Sequence, residues 1–325
     1  MSEATLEVRE LTKHFRASTG LLGRRSRVHA VDDVSFTLRP GSVTALVGES
    51  GSGKSTVARL LVRLYDPSSG SIRLDDRDVA RDRGRRALRR YRSQVQMIFQ
   101  DPFGSLNPAK TIHHHLARPL RIHGIVPEDR VEARVHELLR TVGLVPPEQV
   151  AAKYPHELSG GQRQRVAIAR TLAVEPVVLL ADEPTSMLDV SIRMGILNLI
   201  LQLKEEQRIA FLYVTHDLAG ARYVADDILV MYAGQIVEQG PIEQVLADPL
   251  HPYTRLLLSA VPGAGQEIPV RPGLASAAVD PPAGCRFVSR CPLAIDTCSH
   301  VTPELVRAGT SRSARCHVTA PKGQP

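Results

Sequence analysis

The apolar run from Val43 to Val47 is followed by Gly48-Glu49-Ser50-Gly51-Ser52-Gly53-Lys54-Ser55-Thr56-Val57. The run predicts a buried strand, and the residues from Lys54 onward predict the start of a helix. Glycines between the two let the backbone turn tightly and point N–H groups at an anion, to which the helix N-terminus adds partial positive charge. This order predicts a nucleotide phosphate loop. The residues expected to contact the nucleotide or its Mg²⁺ are Gly48, Ser50, Gly51, Ser52, Gly53, Lys54, Ser55 and Thr56, with Lys54 reaching the β- and γ-phosphates and Ser55 binding the metal.

A second group of motifs lies about a hundred residues downstream. Leu158-Ser159-Gly160-Gly161-Gln162 precedes a helical run, and Val177-Val178-Leu179-Leu180-Ala181 precedes Asp182-Glu183. We expect the five apolar residues to be buried and to hold Asp182 at the carboxyl end of a strand, where it binds the same Mg²⁺ as Ser55. A carboxylate one position beyond the metal ligand can activate the water that attacks the γ-phosphate, so Glu183 is the predicted catalytic base.

In this order the motifs resemble those of the ATP-binding cassette (ABC) family. Gln100 resembles the Q-loop glutamine, Ser186-Met187-Leu188-Asp189 resembles the D-loop, and His216 in Thr215-His216-Asp217 resembles the switch histidine. The resemblance implies an α/β fold: a P-loop NTPase of ABC type with an antiparallel β layer, a helical subdomain and, here, a small Cys-bearing C-terminal domain.

The resemblance also implies roles for these residues. Two ABC domains pair head to tail, so that each ATP lies between the P-loop of one chain and the Leu158, Ser159, Gly160, Gly161 and Gln162 segment of the other. His216 would contact the γ-phosphate, Gln100 would contact Mg²⁺ or the attacking water, and Asp189 joins the nucleotide-contacting set. Taken singly, a Gln, His or Asp in a loop is usually solvated or a helix cap, and only the order of the motifs favours the functional interpretation.

Strands are predicted from Leu6 to Phe15 and from Val28 to Leu38, with the polar insertion Arg16 to Arg27 as a loop between them. In the ABC family an aromatic residue near the end of the first strand stacks on adenine. Phe15 is the candidate, and a core position for Phe15 is the alternative.

The predicted ATPase domain covers residues 1–250, and its helical subdomain covers about 101–160. Family likeness makes Gln100 to Pro108 the candidate docking surface for membrane subunits. The helix after the P-loop is expected to place one apolar stripe in the core, formed by Val57, Leu60, Leu61 and Leu64. A second apolar stripe at helical spacing precedes a predicted strand from Ile209 to Val214; it consists of Ile192, Ile196, Leu199, Ile200 and Leu203.

The last part of the predicted ATPase domain is a hairpin of Ile228 to Tyr232 and Gln235 to Glu238. A turn at Gly240-Pro241 and a helix from Ile242 to Ala247 are predicted after it.

The chain has 325 residues and a net charge of +7, and its arginines crowd between Arg81 and Arg92. With Tyr91 as the one interleaved aromatic, we expect a solvated face or one attracted to anionic lipid, and no specific nucleic-acid partner. No apolar run approaches the roughly 20 residues that span a bilayer, and Met1-Ser2-Glu3-Ala4 does not start a signal peptide. We therefore expect a soluble, intracellular chain.

Two further segments, Gln100 to Pro108 and His251-Pro252-Tyr253-Thr254, are similar to those of ATP-binding subunits of bacterial dipeptide and oligopeptide importers. That resemblance implies ATP-driven peptide import at the cytoplasmic face of the cell membrane. The implied partners are two transmembrane permease subunits, a second ATPase that is identical or homologous, and an extracytoplasmic peptide-binding protein. Nickel or another small solute is the alternative cargo, and an exporter or a non-transport ABC ATPase is the alternative class. Repair-type and translation-type ATPases are disfavoured, because the chain has one cassette and no sustained heptad repeat.

The predicted C-terminal region, residues 251–325, holds all four cysteines: Cys285, Cys291, Cys298 and Cys316. Four converging thiolates suit a [4Fe–4S] cluster or tetrahedral zinc, and free thiols are the third possibility. His300 and His317 are substitute zinc ligands, and disulfides are disfavoured in a reducing compartment. The tail from Pro262 to Pro325 is rich in Pro, Gly, Ala and Ser, so its own apolar core would be small. A metal centre would then act as a cross-link, with redox sensing as the alternative.

Overall fold

The computed structural model describes residues 6–18, 25–75, 77–82, 84–186, 188–260 and 283–319. Five features used in the sequence analysis fall wholly or partly outside the described residues: the N-terminal segment 1–4, residues 19–24 of the insertion, residue 83 of the arginine run, Met187 of the D-loop segment, and residues 261–282 and 320–325 of the tail.

In chain order the strands are β1 (Leu6–Ser18), β2 (Arg25–Leu38), β3 (Val43–Val47), β4 (Ser69–Leu74), β5 (Arg77–Asp78), β6 (Val95–Ile98), β7 (Val178–Asp182), β8 (Ala210–Thr215), β9 (Asp227–Tyr232), β10 (Gln235–Pro241), β11 (Val306–Ala308) and β12 (Arg312–Ala314). The helices are α1 (Lys54–Leu61), α2 (Arg85–Gln94), α3 (Pro102–Ser105), α4 (Ile112–His123), α5 (Val131–Thr141), α6 (Pro147–Ala152), α7 (Gly160–Leu172), α8 (Val190–Gln207), α9 (Leu218–Val224), α10 (Ile242–Ala247), α11 (Pro252–Ser259) and α12 (Thr297–His300).

The chain forms two compact units. The first contains Met1–Leu38, Val43–Arg81 and Tyr213–Pro325, and the second contains Arg39–Ser42 and Asp82–Leu212. The P-loop and the cysteines therefore lie in the first unit, and the Asp182-Glu183 motif lies in the second.

The antiparallel layer predicted near the N-terminus is present in the first unit, with strand order β2-β1-β4-β5. The prediction that Arg16 to Arg27 is a loop was wrong at both ends. Arg16 pairs with Arg27, and Ser18 pairs with Arg25, so the two strands continue into the insertion. Strand pairing needs only backbone N–H and C=O groups, so a polar and basic composition does not prevent it.

A second sheet portion of the first unit has the order β11-β12-β10-β9-β3. β3 pairs with β9 in parallel, and all five residues of β3 are buried, as expected for a strand covered on both faces. The predicted hairpin is present as β9 and β10, but Gly240 and Pro241 are part of β10 and pair with Ile228 and Asp227. The turn predicted at those two residues was therefore wrong.

The second unit contains the parallel pair β6 and β7 and the helices predicted for the helical subdomain. β7 is buried from Val178 to Asp182, which confirms the strand that precedes Glu183. Val177 is the exception, because its side chain is 40% exposed and lies before the strand. Its backbone N–H donates to the carbonyl of Gln94.

The helix predicted after the P-loop is α1, which buries Val57, Leu60 and Leu61. Leu64 does not belong to this apolar stripe, because α1 ends at Leu61 and the Leu64 side chain is 49% exposed. Arg63 adopts a positive φ of 57°, which turns the chain away from the helical path before Leu64 is reached.

The described part of the Cys-bearing tail is packed into the first unit. Phe287 and Cys291 are buried in one apolar cluster with Val47, Tyr232 and Tyr253. Phe287 and Cys291 thus share the core that supports β3, and the small core of the tail itself stays a prediction.

Glu238 fixes the chain segment that leads into α11. Its fully buried carboxylate accepts hydrogen bonds from the backbone N–H groups of Leu250 and His251, both at 2.9 Å, and from Arg312 at 3.0 Å. This arrangement compensates a buried charge with three donors. It also joins β10 to β12 and to the His251-Pro252-Tyr253-Thr254 motif.

We predict that acid weakens this part of the fold through His251. Nδ1 of His251 accepts the Tyr253 N–H at 3.0 Å, and burial lowers the pKa of His251 to about 3. In the unfolded chain His251 takes up a proton below its ordinary pKa of 6.5, whereas in the folded chain the same side chain stays neutral until the pH approaches 3. Stability therefore falls as pH decreases from 6.5 toward 3, by up to about 1.4 kcal/mol per pH unit.

Urea unfolding midpoints at pH 7.5 and 5.5 measure this effect. The His251→Asn variant keeps a capping acceptor that does not titrate, and its midpoint should change less between the two values. An equal change in both proteins would show that His251 does not cause the pH dependence.

In the described ranges, no helix is both long enough and apolar enough to cross a membrane.

Candidate functional site

The P-loop joins β3 to α1 in the first unit. Gly48, Gly51 and Gly53 have φ values of 156°, 78° and 108°. A Cβ on Gly48 would lie 2.2 Å from the carbonyl oxygen of Met231, and one on Gly53 would lie 2.1 Å from that of Ala30. Gly48 and Gly53 are required because the loop is pressed against neighbouring backbone, whereas Gly51 is favoured by its positive φ alone.

Lys54 is the first residue of α1 and is 5% exposed. Its Nζ donates to the carbonyls of Gly48 at 2.7 Å and Glu49 at 2.9 Å, so the ammonium lies inside the curve of the loop. This is where the predicted contact with the β- and γ-phosphates requires a cation. Ser52 is buried, and its Oγ has no hydrogen-bond partner within the described part of the chain.

Phe15 and His216 also lie in the first unit. Phe15 packs edge-on against Tyr65 with ring centroids 5.4 Å apart, and Lys13 Nζ lies 5.3 Å from its centroid. His216 is exposed directly after β8, and the next residue, Asp217, caps α9 by accepting from the N–H groups of Ala219 and Gly220. Both predicted roles remain predictions.

The second unit brings Gln100 and Glu183 together. Nε2 of Gln100 donates to Oε2 of Glu183 at 2.9 Å, although the residues are 83 positions apart. Asp182 is 3% exposed at the end of β7, and Glu183 has a φ of 47°. This left-handed conformation is uncommon for a residue with a side chain, and it lies at the junction between the strand and the turn closed by Ser186.

The Leu158–Gln162 segment leads into α7, which begins at Gly160. Ser159 and Gln162 make a capping box, in which Ser159 Oγ accepts the Gln162 N–H and Gln162 Oε1 accepts the Ser159 N–H. A Cβ on Gly161 would lie 2.4 Å from Cγ2 of Ile192, so only glycine fits there. Asp189 precedes α8 as its N-cap residue and is exposed. The partial positive charge at the first turn of α7 is of the sign that attracts an anion.

A cavity of about 410 Å³ lies in the second unit beside α4 and α7. Its polar lining includes Asn107, His114, His115, Arg118, His123 and Arg170. Burial lowers the pKa values of His115, His123 and Arg170. Ser105 and Asn107, which belong to the predicted docking segment, also line this cavity.

The helix α2 carries most of the arginine run. Arg85, Arg86, Arg89 and Arg90 are exposed, whereas Tyr91 is 3% exposed. The interleaved aromatic is thus in the core and does not add a stacking surface to the cationic face.

No disulfide joins the four cysteines, all of which lie in described parts of the first unit, and the Cys285 N–H donates to the carbonyl of Cys298 at 2.8 Å. Burial raises the pKa of Cys285 to about 11, and the neighbouring thiols of Cys291, Cys298 and Cys316 act in the same direction. Backbone N–H groups donate to sulfur from Phe287 to Cys285, from Leu293 to Cys291 and from Val318 to Cys316. His317 contacts the carbonyl of Val301 and His300 is 72% exposed beside Asp296.

His14, His29 and Asp32 form a further group whose ligand atoms all lie within 4.8 Å of one another. Arg286 donates to the same Asp32 oxygen that faces His29. The Arg286 guanidinium therefore already offsets the charge of the Asp32 carboxylate in this group.

Sequence patterns did not assign roles to Glu49, Tyr253 or Arg290. Glu49 occupies a variable position of the P-loop pattern, and Tyr253 is part of the His251–Thr254 motif. Arg290 has no signal beyond its position before Cys291.

Comparison with protein families gives two matches. Residues 31–186 match the ABC transporter family, and residues 237–298 match the C-terminal region of oligopeptide/dipeptide transporters.

Curated relatives align along nearly the whole chain. The di/tripeptide transport ATP-binding protein DppF of Pseudomonas aeruginosa is 44% identical over 97% of this chain and 98% of its own length. The oligopeptide transport ATP-binding protein AppF of Bacillus subtilis is 41% identical over 97% of this chain and 98% of its own length.

Solved structures with the same fold include ABC cassettes. CbiO1 of Clostridium perfringens, part of the ABC transporter complex CbiONQ, gives a TM-score of 0.64 at 32% identity and covers 76% of this chain and 92% of its own. A dimeric post-hydrolysis structure of the cassette MJ0796 with ADP and Pi gives a TM-score of 0.63 at 30% identity and covers 73% of this chain and 98% of its own. The chain is therefore an ABC-type ATPase and belongs to the family of ABC transporter ATP-binding proteins, in the group that carries the oligopeptide/dipeptide transporter C-terminal region.

Proposed function

We propose that this chain is the ATP-hydrolysing subunit of an ABC importer for dipeptides or oligopeptides. The observation that carries the proposal is the joint presence of the ATPase motifs and the peptide-transporter C-terminal region in one chain. The relatives named for peptide, di/tripeptide and oligopeptide transport support it, since they align over nearly the whole chain.

The proposed nucleotide site gives each predicted residue the role that its chemistry suits. Lys54 and the P-loop N–H groups hold the phosphates, Ser55 and Asp182 hold Mg²⁺, and Gln100 and Glu183 orient and deprotonate the attacking water. His216 contacts the γ-phosphate and Phe15 stacks on adenine. The Leu158–Gln162 segment and Asp189 of a second, identical or homologous ATPase complete the site.

The proposed assembly lies at the cytoplasmic face of the cell membrane. Two permease subunits would form the path across the bilayer, and an extracytoplasmic peptide-binding protein would deliver the peptide. We assign permease docking to the cavity beside α4 and α7, because it borders the predicted docking segment and offers imidazole, amide and guanidinium groups to a partner helix.

The proposed C-terminal metal centre uses Cys285, Cys291, Cys298 and Cys316. Their proximity and the backbone N–H groups aimed at sulfur suit thiolate ligands. Tetrahedral zinc would bring the sulfurs to about 3.8 Å from one another. The proposed centre is a [4Fe–4S] cluster, with tetrahedral zinc as the alternative. When bound, the centre would cross-link the tail.

Peptide import is tested in cells that lack this chain. Uptake of a labelled dipeptide should be restored by the wild-type chain but not by Glu183→Gln, and the tagged chain should co-purify with two membrane proteins. Restored uptake of nickel in place of peptide would reassign the cargo. If no membrane protein co-purifies with the tagged chain, the transport role is overturned.

Replacing all four cysteines with Ser should abolish metal binding and loosen the tail, because the thiolates would no longer be joined through the centre. Anaerobic purification followed by elemental analysis and an absorption spectrum measures the metal. Limited proteolysis measures the order of the tail. Unchanged protease resistance in the Ser variant would contradict a structural centre, and zinc in the wild-type protein would contradict the cluster.

A further inference from the structure

Glu49, the second residue of the P-loop pattern, is held by an arginine from the tail. Arg290 Nη1 and Nη2 donate to the two carboxylate oxygens of Glu49, each at 3.0 Å. The Arg290 side chain is 11% exposed and that of Glu49 is 29% exposed, so the pair is partly shielded from water. A bidentate pair of this kind fixes the orientation of both planar groups.

The backbone of Glu49 is held as well. Its N–H donates to Oη of Tyr253 at 2.8 Å, and its carbonyl accepts from Lys54 Nζ at 2.9 Å. Tyr253 is fully buried, and burial raises the pKa of its hydroxyl, so it stays neutral at physiological pH. The side chain, the N–H and the carbonyl of one loop residue are therefore all engaged.

The groups that hold Glu49 are themselves fixed in the core. The guanidinium of Arg290 lies 5.8 Å from the ring centroid of Tyr232 and 5.7 Å from that of Phe287. The Tyr253 ring packs against both aromatic rings, with centroid distances of 4.6 and 5.6 Å. The next residue after Arg290 is Cys291, which is buried in the same cluster.

A second support reaches the loop from the β9–β10 hairpin. The N–H of Gly234 donates to the carbonyl of Ser52 at 2.8 Å, and Arg286 donates to the carbonyl of Ala233. The tail thus contacts the P-loop directly through Arg290, and it contacts the hairpin beside the loop through Arg286.

We propose that Arg290 and Tyr253 are positioning residues for nucleotide binding, which hold the P-loop in the shape that accepts the phosphates. This inference rests on the proposed role of the P-loop as the phosphate site. Ordering a flexible loop on binding costs conformational entropy. A P-loop that is already ordered does not incur this cost when the nucleotide binds. The tail therefore raises the affinity for ATP without touching it.

The test uses Arg290→Gln and Tyr253→Phe in the full chain, with the dissociation constant of a fluorescent ATP analogue as the readout. We expect the constant to rise about tenfold for Arg290→Gln and about threefold for Tyr253→Phe, because each removes hydrogen bonds to Glu49. Arg290→Lys keeps the charge but not the bidentate geometry and should recover part of the affinity. In the assembled transporter the change should appear in KM far more than in kcat.

The double variant Glu49→Gln/Arg290→Gln tests whether Arg290 acts through Glu49. It should bind the analogue about as well as Arg290→Gln, because both changes break the same pair. An effect equal to the product of the two single changes would overturn the assignment to Glu49.

A matched control is the Arg222→Gln variant. Arg222 makes a similar bidentate pair with Glu243, at 3.0 and 2.8 Å, but on an exposed surface of the same unit. The Arg222→Gln variant should bind the fluorescent ATP analogue with the same dissociation constant as the wild-type chain. A rise as large as that of Arg290→Gln would show that losing any such pair weakens binding, and would overturn the proposal.

The Lys54→Ala variant distinguishes failure of the proposed phosphate site from failure of the positioning role. If it leaves the dissociation constant unchanged, the P-loop is not the phosphate site and the proposed function fails at that point. If it weakens binding while Arg290→Gln and Tyr253→Phe do not, the positioning role alone is overturned. Should Arg290→Gln loosen the tail in limited proteolysis, Tyr253→Phe decides the matter, because it removes one oxygen and keeps the ring in the core.

Discussion

Glu183→Gln should reduce steady-state ATP hydrolysis of the assembled transporter by about a hundredfold or more, with ATP still bound. The amide keeps the size of the side chain and one oxygen, but it cannot accept a proton from the attacking water. Gln100 Nε2 already donates to Glu183 Oε2 at 2.9 Å, so the carboxylate is oriented by a neighbouring side chain. Hydrolysis is measured as phosphate release, and ATP retention by equilibrium binding.

Glu175→Gln is the matched control for this change. Glu175 is an exposed glutamate of the same unit that also has a positive φ, of 53°, and it pairs with Arg134 on the surface. Its substitution should leave hydrolysis unchanged. Near-normal turnover in Glu183→Gln would mean that another group removes the proton.

Glu238→Ala should cost about 3 kcal/mol or more of folding stability, because it leaves the partners of a fully buried carboxylate without an acceptor. The N–H groups of Leu250 and His251 would lose their partners, and Arg312 would lose its buried counter-charge. The expected result is a lower urea midpoint and rapid cleavage near α11 and β12 in limited proteolysis.

Glu243→Ala is the control for this second change. It removes the exposed pair with Arg222, which water screens and solvates, so its effect on the midpoint should be far smaller. Equal effects of the two substitutions would contradict the assignment of Glu238 as the residue that holds the tail to β10.

The local features of this fold could be predicted because each depends on residues that are close in sequence. The apolar run before Gly48 predicts β3, and Gly53 followed by Lys54 predicts the start of α1, as the structure confirms. The run before Glu183 predicts β7 for the same reason. The errors at Leu64, Val177 and Arg16–Arg27 are all at the ends of elements, where a single positive φ or the pairing of two polar strand ends overrides the pattern of apolar residues.

The sequence alone determined the phosphate loop, the buried strand before Asp182 and the clustering of cysteines in the tail, because composition and spacing of neighbouring residues are enough for each. Only the tertiary structure decided which distant groups meet. Arg290 lies 241 positions from Glu49, Tyr253 lies 204 positions from it, and Gln100 lies 83 positions from Glu183. Such pairs leave no periodic signal along the chain, because the sheets and the shared aromatic core bring them together only after folding.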